Sequence, residues 1–394
     1  MSETNRIHTQ TDSSSSTKQT HRQLRDLPVP QPAAGLDAYI CERELALSYS
    51  TARRENYEKY LHSSRRGAKV NYLPIKLDIE NVSRCNFRCT MCVVSDWHKG
   101  KRAGDMTIDD FKRLIDEQYG LIEIKLQGIG EPLMQGDTFF EMIKYARLQH
   151  VWVRTTTNAS LLHLKDNYKK LVDSNVNEIQ ISIDGADKET FEAIRRGSIF
   201  ERVIENCKLI NAYCRENGLA RTKMWTVVQH PNEHQLEDLV NLAHEIGFTN
   251  QVFSLELTHW GSEDWSVRNA MVSMEDRLNP ARLLSLIEQG KSLGVKVWFW
   301  NVTEKYSTLS KDKLCPWPFE RAVVTSDQRT VPCCTIGNPD AYELGKGKRF
   351  TEVWNSEEYA TFRQAHLDGN IPKVCQACYF KDWHLGKGDG PTGF

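Results

Sequence analysis

The sequence predicts an α/β protein: a partial (β/α)6 TIM-like barrel followed by a small, cysteine-bearing C-terminal domain. Three observations predict it. Short apolar or β-branched runs alternate with amphipathic helical stretches about six times between residues 70 and 301, a rhythm that implies right-handed crossovers and a parallel sheet. Six units fall short of the eight that close a full barrel, so the sheet is open or partly curled. After residue 310 the rhythm stops and cysteines accumulate.

Residues 1–35 are polar, with the run Ser13 to Ser16 and the stretch PVPQPAAG, a composition that predicts a disordered tail. Over 36–69, Tyr39, Ile40, Leu45, Leu47, Tyr57, Tyr60 and Leu61 predict one or two helices, with Arg53-Arg54 and Arg65-Arg66 on solvated faces. Ile75, Leu77 and Ile79 mark the first strand. Thr107 with Asp110 caps a helix whose apolar face is Ile108, Phe111, Leu114 and Ile115. Further strands are expected near 122–127, 151–156, 178–184, 222–229, 251–257 and 295–300. Helices are expected near 137–149, 163–174, 187–216, 234–246 and 280–292, the last started by Asn279-Pro280. Beyond it, Arg321 to Thr325 and Thr330 to Pro332 form a hairpin around Ser326-Asp327-Gln328, in a second domain over 310–385 that needs a metal staple. Residues 386–394 read as a flexible end.

Composition narrows the function. The chain has 394 residues, 40% hydrophobic, with 51 Lys+Arg against 52 Asp+Glu. No bulk positive charge draws it to nucleic acid, and no apolar run approaches the roughly 20 residues of a membrane span. The N-terminus lacks the apolar region of a secretory signal, which predicts a cytoplasmic protein. Eleven cysteines, an odd number in two clusters with three strays, suit metal ligation in a reducing compartment better than disulfides.

The first cluster, Cys85-Asn86-Phe87-Arg88-Cys89-Thr90-Met91-Cys92, follows the first strand directly. Three thiolates in a CxxxCxxC run can bind three irons of one 4Fe-4S cluster and leave the fourth open to a non-protein ligand. The spacing resembles the radical S-adenosylmethionine superfamily. Gln127-Gly128-Ile129-Gly130-Glu131-Pro132 is similar to the family's GGEP element, Thr155-Thr156-Thr157-Asn158 to its TTNG, and Ile181-Ser182-Ile183-Asp184-Gly185 to its SLDG. The resemblance implies that Cys85, Cys89 and Cys92 hold the cluster. It also implies that Met91, Gly128, Gly130, Glu131, Asn158, Ser182 and Arg195 contact S-adenosylmethionine, Glu131 at its amino group and Arg195 at its carboxylate. The residue before the third cysteine is usually aromatic in the family; here it is Met91, whose thioether can still cover a ring face. A plain zinc or redox site is the bland alternative.

The second cluster, Cys315, Cys333-Cys334 and Cys375-Gln376-Ala377-Cys378, resembles the SPASM extension in its short twitch form. Five cysteines suffice for one auxiliary 4Fe-4S cluster, on Cys315, Cys333, Cys375 and Cys378, with Cys334 as the adjacent alternative. A structural zinc ribbon is the competing reading. The strays Cys41, Cys207 and Cys214 are expected to pack as small apolar residues.

Strand ends place Gln229, His230, Glu256, Thr258, His259, Trp298, Trp300 and Asn301 toward a substrate, and His259 to Met274 as a lid or pocket wall. The resemblance implies a radical enzyme that abstracts a substrate hydrogen, reduced by a partner such as flavodoxin or ferredoxin. The leading expectation is a two-electron oxidation of a small sugar- or aminocyclitol-like metabolite. The alternatives are a peptide-modifying SPASM enzyme, against which the short helical N-terminal segment weighs, and a noncatalytic iron–sulfur or zinc scaffold.

Overall fold

The computed structural model describes residues 27–98, 101–102, 104–274, 277–300 and 305–379. The predicted tail over 1–26, Asn301 and the C-terminal end from 380 lie outside them. In chain order the strands are β1 (Lys76–Ile79), β2 (Arg88–Cys89), β3 (Glu123–Leu126), β4 (Trp152–Thr157), β5 (Glu178–Ser182), β6 (Arg195–Arg196), β7 (Thr222–Val227), β8 (Asn250–Ser254), β9 (Lys296–Trp300), β10 (Val323–Val324) and β11 (Thr330–Val331). Among the described residues, one nine-stranded sheet runs β11-β10-β1-β3-β4-β5-β7-β8-β9, and β2 pairs with β6 alone. The neighbours from β1 to β9 are parallel.

Alternation along each strand sets its two faces. Ile124, Leu126, Val153, Ile179 and Ile181 are buried in the apolar core. Their neighbours Lys125, Arg154, Glu178, Gln180 and Lys223 are polar and point to the concave side. The helix Ile108–Glu117 shows why helices cover the outer face. Thr107 accepts from the Asp110 amide at 3.0 Å, and Phe111, Leu114 and Ile115 are buried three and four residues apart. Asn279 likewise caps Pro280–Leu293.

Four local expectations are corrected. Residues 27–35, read as tail, pack on the barrel: Leu27 joins the core, Pro28 O accepts from the Phe299 amide (2.9 Å) and the Ala33 amide donates to Glu178 (3.1 Å). Arg53, read as solvated, is 1% exposed because its guanidinium donates to the carbonyls of Tyr119 (2.9 Å) and Gln149 (2.6 Å). The helix expected over 187–216 is two, Lys188–Ile194 and Phe200–Glu216, broken where β6 pairs with β2 and Gly197 takes a φ of 86°. Cys41 is exposed, whereas Cys207 and Cys214 are buried on one helix face as expected.

The tail hairpin does more than follow the barrel. β10 pairs in parallel with β1, with Asp78 opposite Val323 and Ile79 opposite Val324, and β11 closes the hairpin antiparallel. The cysteine-bearing tail is thereby stitched to the strand that leads into the first cysteine cluster.

Candidate active site

The C-terminal ends of the strands open into a cavity of about 280 Å³. One side of it is the CxxxCxxC loop, with Cys85, Cys89, Met91 and Cys92 in the wall. Two structures fix that loop. Cys89 faces Arg195 in the β2–β6 pair, and the Thr90 amide donates to Ile194 O at 2.9 Å. Gly130 packs against the backbone of Val82 to Arg84, where a Cβ would overlap the carbonyl oxygens. A Cβ on Gly128 would overlap the Glu80 side chain, whose carboxylate accepts from the Ile129 amide (3.0 Å), from Arg102 (2.5 Å) and from the Ser326 amide and hydroxyl (3.1 and 3.0 Å). Both glycines line the cavity, yet their immediate reason is this close packing.

Glu131 is buried in the same wall. It accepts from Thr157 Oγ1 (2.6 Å), the Asn158 amide (2.8 Å) and the Leu133 amide (3.3 Å), and burial outweighs these donors to push its pKa up to about 7. Asn158 donates to Asn86 (3.0 Å) beside Cys85 Sγ (3.9 Å). Ser182 lines the cavity. Arg195 does too, but its guanidinium is held by buried Asp184 at 2.6 Å and reaches Cys89 Sγ at 3.9 Å. Met91 contributes through its backbone as well: its carbonyl accepts from Trp260 Nε1 at 3.0 Å, which brings an indole from the loop after β8 into the wall.

Burial pushes the Cys85, Cys89 and Cys92 thiols up, Cys85 to about 12. Three such thiols become thiolates together only against strong positive charge, which iron supplies, so the donor set fits a cluster.

The tail builds a second cavity, of about 80 Å³, beside the first. Cys315, Cys333, Cys334, Cys375 and Cys378 all line it, with Tyr306, Trp317 and Tyr379. Burial raises each of these thiols, and the charge of Cys333 is felt by the other four, so the five form one coupled group. Cys334 responds, after burial, to Asp78, Cys333 and Lys125. Cys334 lines both cavities, and Trp300 and Thr335 share that partition with it. Among the described residues no three His, Cys, Asp or Glu side chains converge as ligands of a single ion.

Of the expected substrate-side residues, Glu256, Thr258 and Trp300 line the main cavity and His259 the second. Burial holds the His259 imidazole below its ordinary pKa. Gln229 is buried elsewhere, His230 is exposed, and Trp298 donates to Asn250 (3.0 Å) away from the cavity. The sequence reading missed Lys125, Thr156, Gln180 and Trp225, which alternate along β3, β4, β5 and β7 and line the cavity below the cysteine loop. The signal was present as polar residues at every second strand position. No helix among the described residues is long and apolar enough to cross a membrane.

Residues 81–243 match the radical SAM superfamily, and residues 315–379 match the SPASM iron–sulfur cluster-binding domain. The chain is 31% identical over 197 residues to the mycofactocin maturase MftC of Mycolicibacterium smegmatis, over 49% of this chain and 47% of that protein. It thus spans about half the length of that relative. It is 26% identical over 329 residues to a Pyrococcus furiosus protein described as a tungsten-containing aldehyde ferredoxin oxidoreductase cofactor-modifying protein, over 78% of this chain and 87% of the other. In fold it is similar to Streptococcus suis SuiB, solved with S-adenosylmethionine (TM-score 0.59, 16% identity, 82% and 76% of the chains covered) and with its precursor peptide SuiA (TM-score 0.58, 16% identity, 78% and 71% covered). The chain therefore belongs to the radical SAM superfamily, as an enzyme with a C-terminal SPASM domain whose cofactors are a 4Fe-4S cluster, S-adenosylmethionine and auxiliary iron–sulfur chemistry.

Proposed function

We propose that this enzyme modifies a peptide by hydrogen-atom abstraction within the 280 Å³ cavity. The observation that carries the reading is the shared partition of Trp300, Cys334 and Thr335, which sets the substrate space between the CxxxCxxC loop and the tail cysteines. When bound, the reduced cluster and S-adenosylmethionine supply a 5'-deoxyadenosyl radical. The chain's own residues bind and orient. Cys85, Cys89 and Cys92 hold the first cluster, and Cys315, Cys333, Cys375 and Cys378 hold the auxiliary one. Glu131, fixed by Thr157 and Asn158, receives the amino group of S-adenosylmethionine, with Gly128, Gly130, Ser182 and Arg195 around it and Met91 with Trp260 along one side. A cluster held by the tail cysteines, in the cavity that shares Trp300, Cys334 and Thr335 with the first, would supply redox chemistry beside the substrate.

The peptide reading draws support from the maturase similarity; the expected sugar- or aminocyclitol-like substrate draws none from these relatives. The test is 5'-deoxyadenosine release by anaerobically reconstituted protein with dithionite. Release should rise with a pool of synthetic peptides and vanish in Cys85→Ala. A rise with a pool of sugar alcohols and aminocyclitols, but not with peptides, would overturn the peptide assignment.

A further inference from the structure

The concave face of the sheet is charged. Register places Asp78, Lys125, Arg154 and Glu178 side by side on β1, β3, β4 and β5. Most of the charges at this level and below are matched: Lys76 and Arg154 to Glu123 (3.5 and 3.0 Å), Lys223 to Glu178 (2.7 Å), and Arg321 to Glu320 (2.8 Å). Lys125 differs. Among the described residues its ammonium makes no ion pair or hydrogen bond, and it lines the cavity at the level of Gln127, Thr156 and Gln180. Asp78, its register neighbour, favours the charged form without occupying its three donors, while burial works the other way. Trp225 and Trp300 also line the cavity, ring centroids 6.3 Å apart.

A partly buried cation with unused donors in a cavity wall is costly unless something anionic meets it. Glu131 and the cysteine loop, assigned above to S-adenosylmethionine, line the same cavity. We propose that Lys125 anchors a carboxylate of the substrate, with the indoles of Trp225 and Trp300 flanking the group that carries it. The proposal rests on the peptide reading above and narrows it: a single cationic anchor suits the carboxylate at the end of a chain, or an acidic side chain, rather than a neutral mid-chain segment.

The test is isothermal titration calorimetry on the anaerobically reconstituted holoenzyme with S-adenosylmethionine. Three probes are used: N-acetyl-glycyl-phenylalanine as the free acid, the same dipeptide as its C-terminal amide, and an N-acetylated glutamyl amide. The free acid should bind at least about tenfold more tightly than its amide, the scale of one charge-assisted hydrogen bond. Lys125→Met should erase that difference and Lys125→Arg should keep most of it, a rescue that a packing role would not give. If the glutamyl amide alone matches the expected affinity, the anchored carboxylate is a side chain and Lys125 remains its partner. Equal binding of all three probes, no measurable binding of any probe, or discrimination that survives in Lys125→Met would overturn the proposal. Deoxyadenosine release measured on the same preparation separates the two readings: its absence sinks the radical chemistry, whatever the calorimetry shows.

Discussion

One position of offset separates the paired cysteines 333 and 334: Cys333 lines the tail cavity alone, whereas Cys334 lines both cavities. The thiol of Cys334 feels Asp78 and Lys125 as well as Cys333. Cysteine spacing alone left this choice open, because adjacent residues are equally near in sequence and only the backbone direction separates them. Reconstituted wild-type protein should carry about eight irons and eight sulfides per chain for two 4Fe-4S clusters. Cys333→Ala should lose about four of each, while Cys334→Ala should keep all of them. The reverse pattern, read by iron and acid-labile sulfide analysis, would exchange the two assignments. Glu80 is the other residue that decides much locally: 1% exposed, it ties the Gly128-Ile129 turn, Arg102 and the tail's Ser326 together, and no motif announced it.

At the scale of elements, the CxxxCxxC loop is held by neighbours that are themselves constrained. The turn after β3 approaches so closely that Gly128 meets a side chain and Gly130 meets backbone. Neither neighbour gives way easily: Gly128 meets Cβ and Cγ of Glu80, a side chain held by several hydrogen bonds, and Gly130 meets loop backbone. Gly128→Ala and Gly130→Ala should each cost about 1–3 kcal/mol or more of overpacking. Gly130→Ala should also lower iron incorporation, because it pushes on Arg84, next to Cys85. Denaturant midpoints and iron content check both, and small effects at either position would contradict the packing account. Much at this scale was legible in sequence. Strands emerged because their outer residues, such as Ile124 and Leu126, repeat every second position, and helix starts because Thr107 and Asn279 sit where caps belong. The break at Arg195 was not, since a two-residue strand depends on a partner more than a hundred residues earlier. For the same reason Arg53 looked solvated: the carbonyls that bury it come from Tyr119 and Gln149. The cavity's polar floor was written in the alternation of β3 to β7, but which of those charges pair depends on register.

Over the whole molecule, the buried charges make stability depend on acid. Burial alone would raise Glu123, but Lys76, Arg154 and Arg321 hold its carboxyl well below the usual range. A carboxylate depressed in the folded state contributes stability that is complete above its unfolded pKa, about 4, and is lost as the pH falls further toward the folded value. Asp327, between Arg102 and Arg329, acts in the same direction. The thermal midpoint should fall steeply below about pH 4, and less steeply in Glu123→Gln measured against its own lower plateau; an unchanged slope would remove Glu123 from this account. The hairpin of β10 and β11 bears on the molecule in another way. The amides of Asp78 and Glu80 donate to Ala322 O and Val324 O at 3.0 and 2.8 Å, so the tail satisfies the outer row of β1. Cut off before the hairpin, the barrel would present that row as a bare sheet edge, the template on which chains aggregate. The two domains that sequence families draw apart are thus not interchangeable cassettes, since the second covers an edge of the first.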